Sequence, residues 1–252
     1  MALFWFILGT VLGSFYLVYA TRVPKGKNFI NSRSKCDHCG YILKWYNLIP
    51  LFSFIIQRGK CCKCGKKISS EHFFVELFTG LLFLLSYIYF KSGFNFYVAL
   101  VVVSLMIVIF ISDFKYMVIL DSSLVTSCIL VLILMIIYKF SFKAICVQIL
   151  SGLILFLVMF LVERVGTFTL KKDSLGGGDI KLTFVLGFIL GIKAGIVALV
   201  LSSFLALPYA VATLYLKDNH EFAYGPFIAG ALFIVFFHLD KFNMLIDYVF
   251  VL

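Results

Sequence analysis

Long apolar runs broken by short polar segments make up most of the chain. Eight are recognised, approximately Ala2 to Ala20, Phe73 to Phe90, Phe94 to Ile111, Ser122 to Tyr138, Ala144 to Val162, Ile180 to Ile192, Ala194 to Leu216 and Phe222 to Leu239. Crossing a hydrocarbon core of roughly 30 Å takes about 20 apolar residues, with a range of about 17 to 25. The pattern therefore predicts an all-α, polytopic membrane bundle of about eight transmembrane helices. The sixth run is the odd one, because its residues 180–192 make only roughly 20 Å of helix. Either the glycines before it carry non-helical backbone into the bilayer, or the helix stays short and leaves a wet notch above its end. Irregular backbone at that depth needs protein or water around it.

Composition agrees with this reading. Hydrophobic residues make up 63% of the chain and charged residues 13%, with a mean hydropathy of +1.08, outside the range of soluble domains. The first run has no basic residue before it and basic residues directly after it, so it reads as a retained span rather than a cleaved signal. Charge then orients the bundle. The segment from Arg22 to Ser70 holds eleven Lys and Arg against the single acid Asp37, and the remainder of the chain is balanced. By the positive-inside rule this loop is cytoplasmic. Asp113 to Asp121, Glu163 to Asp179 and Lys217 to Glu221 follow it to that face, and both termini lie outside. Three regions are expected: a first helix over 1–21, a cytoplasmic cysteine loop over 22–72 and a membrane core over 73–252. A basic loop also suits nucleic acid, but orientation and contact with the anionic headgroups of a lipid bilayer explain it here. No nucleic-acid partner is expected.

The same loop carries two similar knuckles, Cys36-Asp-His-Cys39-Gly40 and Cys61-Cys-Lys-Cys64-Gly65. Two C-x-x-C-G turns make a tetrahedral thiolate set for Zn²⁺, because each turn brings two sulfurs to one side of an ion and the glycine tolerates the bend behind them. Disulfides are the alternative, disfavoured in a reducing cytoplasm. Cys62 competes with Cys61 as a ligand, and His38 reads as a solvated residue. The metal would supply folding free energy that so small a loop cannot gain by burial. Cys128 and Cys146, in apolar runs, read as buried small side chains.

Ionisable residues bordering spans are costly and point to function. Asp113 ends the third span and Asp179 opens the sixth, so topology delivers two distant carboxylates to one face. In "SLGGGDIKL", Ser174 to Leu182, the glycines let the chain bend and let another backbone approach, with Asp179 at the edge of a wet pocket. The plainer alternative is a glycine loop followed by an acid at a helix start. Two aspartates sharing a proton can activate water on a peptide carbonyl without metal or covalent nucleophile. The four histidines are scattered, no Ser or Cys lies in a nucleophile motif, and the glycines lack the Lys-Ser/Thr of a P-loop.

These residues resemble the type IV prepilin leader peptidases, membrane aspartyl proteases of the GxGD type that are also N-methyltransferases. The resemblance runs through Gly13 to Phe15, Arg22 and Pro24, both knuckles, the NLIPLFSF segment, Val75 to Leu77, Asp113, Gly176-Gly177-Gly178-Asp179 with Lys181, and Tyr224 to Gly230. It implies Asp113 and Asp179 as the catalytic pair. Gly176, Gly178, Lys181, Tyr224, Gly225 and Pro226 would lie around the substrate, with the Gly-Pro pair opening a helix ladder to shape the pocket wall. Glu76 belongs either to the methyl-transfer site or to helix-start stabilisation. The implied activity is removal of a basic leader from prepilins or pseudopilins at the cytoplasmic face of the bacterial cytoplasmic membrane. Methylation of the new N-terminus from S-adenosylmethionine would follow. The chain departs from the family at Leu17, Leu120, Glu71 to Phe73 and Ala223-Tyr224, where Asn, Pro, Arg-Tyr-Pro and Pro-Phe are usual. The rival readings are a non-enzymatic zinc-ribbon receptor or transporter, and a protease without methyltransferase activity.

Overall fold

The computed structural model describes residues 1–29, 33–36, 38–170, 176–216 and 222–242. The expected cytoplasmic segment Lys217 to Glu221 lies outside them, as do Asp37 and the start of the glycine motif, Ser174 and Leu175. Eight helices are formed by the described residues: α1 (Ala2–Arg22), α2 (Phe52–Ile56), α3 (Glu71–Phe90), α4 (Phe94–Tyr116), α5 (Asp121–Ile137), α6 (Phe142–Leu170), α7 (Gly177–Leu216) and α8 (Gly225–Phe237). Five of these, α1, α3, α4, α6 and α7, are long and apolar enough to cross a membrane; α5 and α8 are apolar but shorter. The chain is an all-helical, multi-pass membrane protein.

Every expected apolar run falls in a helix, but the sixth and seventh share one. A straight helix of 40 residues would measure roughly 60 Å, about twice the hydrocarbon core. The chain solves this at Gly191, whose φ of 78° and ψ of 176° break α7 into two arms. Such angles are open only to glycine. Of the two alternatives for the sixth run, non-helical backbone does not extend to Gly177 and Gly178, which are helical, and the break in α7 lies at the far end of that run.

By its contacts the chain divides into Met1–Phe96 and Tyr97–Leu252. In the first unit, α1 lies against α3 along a seam of small residues. A Cβ placed on Gly9 would sit 2.9 Å from the Gly80 Cα, and one on Gly13 would sit 2.9 Å from Thr79 Oγ1. Gly9 and Gly13 form a G-x-x-x-G stripe, the arrangement by which membrane helices bring their backbones together. In sequence, the cysteine knuckles and the short helix α2 fall between α1 and α3.

In the second unit α4 is the most enclosed span, with 61% of its apolar window buried, against 17% for α6. The outer helices present leucine, isoleucine and valine outward, as a lipid-facing surface does. Helices α6 and α7 meet at another glycine contact, where a Cβ on Gly187 would lie 2.7 Å from the Ser151 carbonyl oxygen. Cys128 is only half-buried and Cys146 is exposed on α6, correcting the expectation that both are enclosed. An apolar thiol at a lipid-facing position needs no protein cover.

Candidate active site and metal centre

The two knuckles of the first unit have one geometry. The Cys36 N–H donates to the Tyr41 carbonyl and the Gly40 N–H to the Cys36 carbonyl; the Cys61 N–H donates to Lys66 and the Gly65 N–H to Cys61. Gly40 and Gly65 have φ of 68° and 67°, the left-handed angles the turns require. Single antiparallel bridges, Lys35 with Ile42 and Lys60 with Lys67, close the turns. The repeat brings the sulfurs of Cys36, Cys39, Cys61 and Cys64 within 4.8 Å of one another, with Cys36 to Cys64 at 3.9 Å and Cys39 to Cys61 at 4.0 Å. In a tetrahedral tetrathiolate with Zn–S near 2.3 Å, neighbouring sulfurs lie about 3.8 Å apart. The four thiols therefore fit a metal such as zinc.

Backbone N–H groups of Cys64 and Lys63 bring the Cys61 thiol down to about 6. At Cys39 the Tyr41 N–H also lowers the thiol, but desolvation and the neighbouring sulfurs outweigh it and raise it to about 11. Four thiols so close cannot all ionise without a cation between them. Cys62 is exposed and stands outside the cluster, with the Asn47 amide 3.9 Å from its sulfur. His38 is exposed.

Glu76 is buried and lies more than a turn into α3, so it does not stabilise the helix start. Its Oε2 instead accepts the Leu51 backbone N–H at 2.9 Å.

In the second unit, Asp113 sits in the last turn of α4, which ends where Met117 takes a φ of 53°. The chain then runs through Ile119 and Leu120 into α5. Leu120 has φ −77° and ψ 112°, angles that a proline could also adopt. Asp179 is the third residue of α7. Both aspartates line one open cavity of about 320 Å³, together with Ile119, Asp121, Gly176 to Gly178 and Lys181, and their carboxylates are close enough to repel.

Each carboxylate is held differently. The Gly225 N–H, at the start of α8, donates to Asp113 Oδ2 at 3.1 Å. Asp179 donates its N–H to the Gly176 carbonyl at 3.0 Å, and its carboxylate accepts a hydrogen bond from the Gly176 backbone. Its Oδ1 is enclosed and has no hydrogen-bond partner among the described residues. Lys181 does not reach either aspartate; its ammonium pairs with Asp121 at 2.7 Å at the exposed rim. Tyr224 and Pro226 are not among the cavity's lining residues. Tyr224 shares a hydrogen bond with Ser202 at 2.8 Å, and Pro226 lies in the first turn of α8. The Gly-Pro pair thus starts a helix rather than interrupting one, since proline's absent N–H costs nothing in a first turn.

Ile119 is the site residue that the sequence did not single out. A Cβ on Gly178 would lie 2.9 Å from the Ile119 Cβ, and one on Gly225 would lie 2.6 Å from its Cδ1 and 2.8 Å from Asp113 Oδ2. Two glycines from the starts of α7 and α8 close on one isoleucine. The glycines of the motif supply space rather than unusual backbone angles.

The profile of the type IV leader peptidase family matches residues 100–211, which include both aspartates, and that of the bacterial peptidase A24 N-terminal domain matches residues 7–90, which include the four cysteines and Glu76. A Bacillus subtilis (strain 168) protein named prepilin leader peptidase/N-methyltransferase is 32% identical over 239 residues, covering 94% of each chain. The chain belongs to the type IV leader peptidase family. Proteins of the same name from Myxococcus xanthus and Vibrio cholerae are 33% and 28% identical, over 77% and 92% of this chain and 57% and 95% of theirs. No solved structure matches it significantly. The two matched stretches fall on either side of the division between the two units.

Proposed function

We propose that this member of the family is a prepilin leader peptidase and N-methyltransferase of the bacterial cytoplasmic membrane, with Asp113 and Asp179 as an aspartyl pair facing the cytoplasm. The observation that carries the assignment is the shared cavity, to which two helices far apart in sequence each deliver one carboxylate. One ionised carboxylate takes a proton from the attacking water while the protonated partner donates to the developing oxyanion. Asp113 is oriented by the Gly225 N–H, and the enclosed Asp179 Oδ1 is free to engage the water or the shared proton. Substrate backbone would approach over Gly176 and Gly178. Co-expression with candidate prepilins and sizing of the products tests this reading, and unprocessed prepilin beside well-folded enzyme would contradict it.

The cytoplasmic orientation follows from the basic loop. A thiol reagent that cannot cross membranes is expected to miss cysteines in 22–70 from outside intact cells and to reach one placed at Ser92. The reverse pattern would invert the topology.

The metal assigned to the cysteine cluster is Zn²⁺ in a structural role. Cys39→Ser is expected to release it and loosen the loop, while Cys128→Ser leaves the metal content unchanged. Metal analysis of protein purified under reducing conditions checks this, and zinc-free protein would refute it.

Methyl transfer would use S-adenosylmethionine, with Glu76 in the site. Glu76→Gln keeps an acceptor for the Leu51 N–H, so the fold should survive. Mass measurement of the processed substrate should then show methylation reduced more than cleavage.

A further inference from the structure

Between the two metal knuckles the chain turns apolar and stays uncovered. Trp45, Phe52, Ile55 and Ile56 are 77%, 65%, 61% and 78% exposed, and Lys44, Arg58 and Lys60 bracket them in sequence. A cluster of this kind on an exposed loop marks an interaction surface.

Two contacts fix its level against the span α3. The Leu51 N–H donates to Glu76 Oε2 at 2.9 Å, and the ring of Phe54, in α2, lies 5.3 Å from that of Phe73. Phe73 opens the apolar run of α3. Glu76 lies five residues beyond the first residue of α3, roughly 7.5 Å along the axis at 1.5 Å per residue. Leu51 and α2 are therefore tied to the first turns of a helix that crosses the bilayer. Interfacial segments bury their apolar side chains about 5 to 10 Å into the boundary between headgroups and acyl chains.

We propose that Trp45 to Ile56 is a membrane-interface anchor. Its exposed apolar side chains sit in the headgroup and acyl boundary of the bilayer, and the flanking Lys44, Arg58 and Lys60 meet anionic headgroups. The hydrogen bond to Glu76 fits this place. In a layer poor in water, the Leu51 N–H needs an internal acceptor, and a carboxylate inside a span needs a donor. Each group answers the other. The anchor holds the metal knuckles, which flank it on both sides, against the membrane surface. It does not depend on the peptidase assignment.

The chain has two tryptophans, Trp5 and Trp45, so Trp5→Phe leaves Trp45 as the sole reporter. The full chain would be reconstituted in vesicles of phosphatidylcholine and phosphatidylglycerol carrying lipids brominated near the headgroup end or near the methyl end of the acyl chain. Trp45 fluorescence is expected to be quenched more by the shallow bromines than by the deep ones and to resist aqueous iodide. A Phe52→Trp probe, in a chain also carrying Trp5→Phe and Trp45→Phe, should behave in the same way. Phe52→Ser with Ile56→Ser should raise the iodide quenching of Trp45 several-fold without changing the helix content. Quenching by iodide with no response to bromine would overturn the proposal. So would protection from both quenchers, which would mean that a second copy of the chain or another protein surface covers the segment.

Discussion

Asp113→Asn and Asp179→Asn are each expected to lower the rate of leader cleavage by roughly a thousandfold, the scale on which a positioned acid or base contributes. Asparagine keeps the size of the side chain and, at position 113, an oxygen that can accept the Gly225 N–H. What it removes is the exchangeable carboxyl proton. Asp121→Asn is the control. Asp121 also lines the cavity but is exposed and already paired with Lys181, so its loss should cost a few-fold at most, as for a solvent-screened ion pair. Cleavage rates for the three variants, at equal amounts of inserted protein, check this. A loss at Asp121 as large as at Asp113 would mean that the wrong pair has been assigned.

Gly225→Ala is expected to cost about 100-fold, the penalty typical of a catalytic group displaced by about 1 Å. The added methyl would sit 2.6 Å from Ile119 Cδ1 and 2.8 Å from Asp113 Oδ2, closer than any real contact, so the isoleucine and the carboxylate must both shift. Adding Ile119→Ala removes the first clash and leaves the second. It should therefore restore only part of the activity. Gly178→Val should fail more severely, because its Cβ meets the Cβ of Ile119 and the branch adds bulk beside it. Trimming Ile119 to alanine, which keeps that Cβ, should not rescue it. Full activity in Gly225→Ala would show that the approach of α8 to Asp113 is not needed for cleavage.

Much of this was legible in the sequence because lipid allows so few solutions. In lipid a backbone must satisfy its own hydrogen bonds, so apolar runs of this length folded as helix, the sixth and seventh as the two arms of α7. The two C-x-x-C-G turns encode their geometry locally, and Gly40 and Gly65 take the angles their position requires. The misreadings came where the reason for a glycine is not local. Gly176 to Gly178 read as bends, yet Gly177 and Gly178 are helical, and it is Ile119, 59 residues upstream of Gly178, that demands the small size of Gly178. Gly191 carries the break in α7, and nothing local distinguishes it from Gly187 and Gly195, four residues to either side in the same apolar stretch. Glu76 stands near a helix start and invited a capping role, whereas its partner is Leu51 in another segment. Ile119 itself carried no signal, since an isoleucine in an apolar chain stands out only once its neighbours are known.

Whether Asp113 and Asp179 act as one unit is decided by a double-mutant cycle on purified, vesicle-reconstituted protein. Cleavage of a prepilin would be timed for Asp113→Asn, Asp179→Asn and the double variant, each shown to be inserted and to keep its metal. Residues sharing one proton are strongly non-additive, so the double variant is predicted to be no slower than either single one. Two losses that multiply, or substantial cleavage by a folded Asp179→Asn protein, would contradict the shared-proton account.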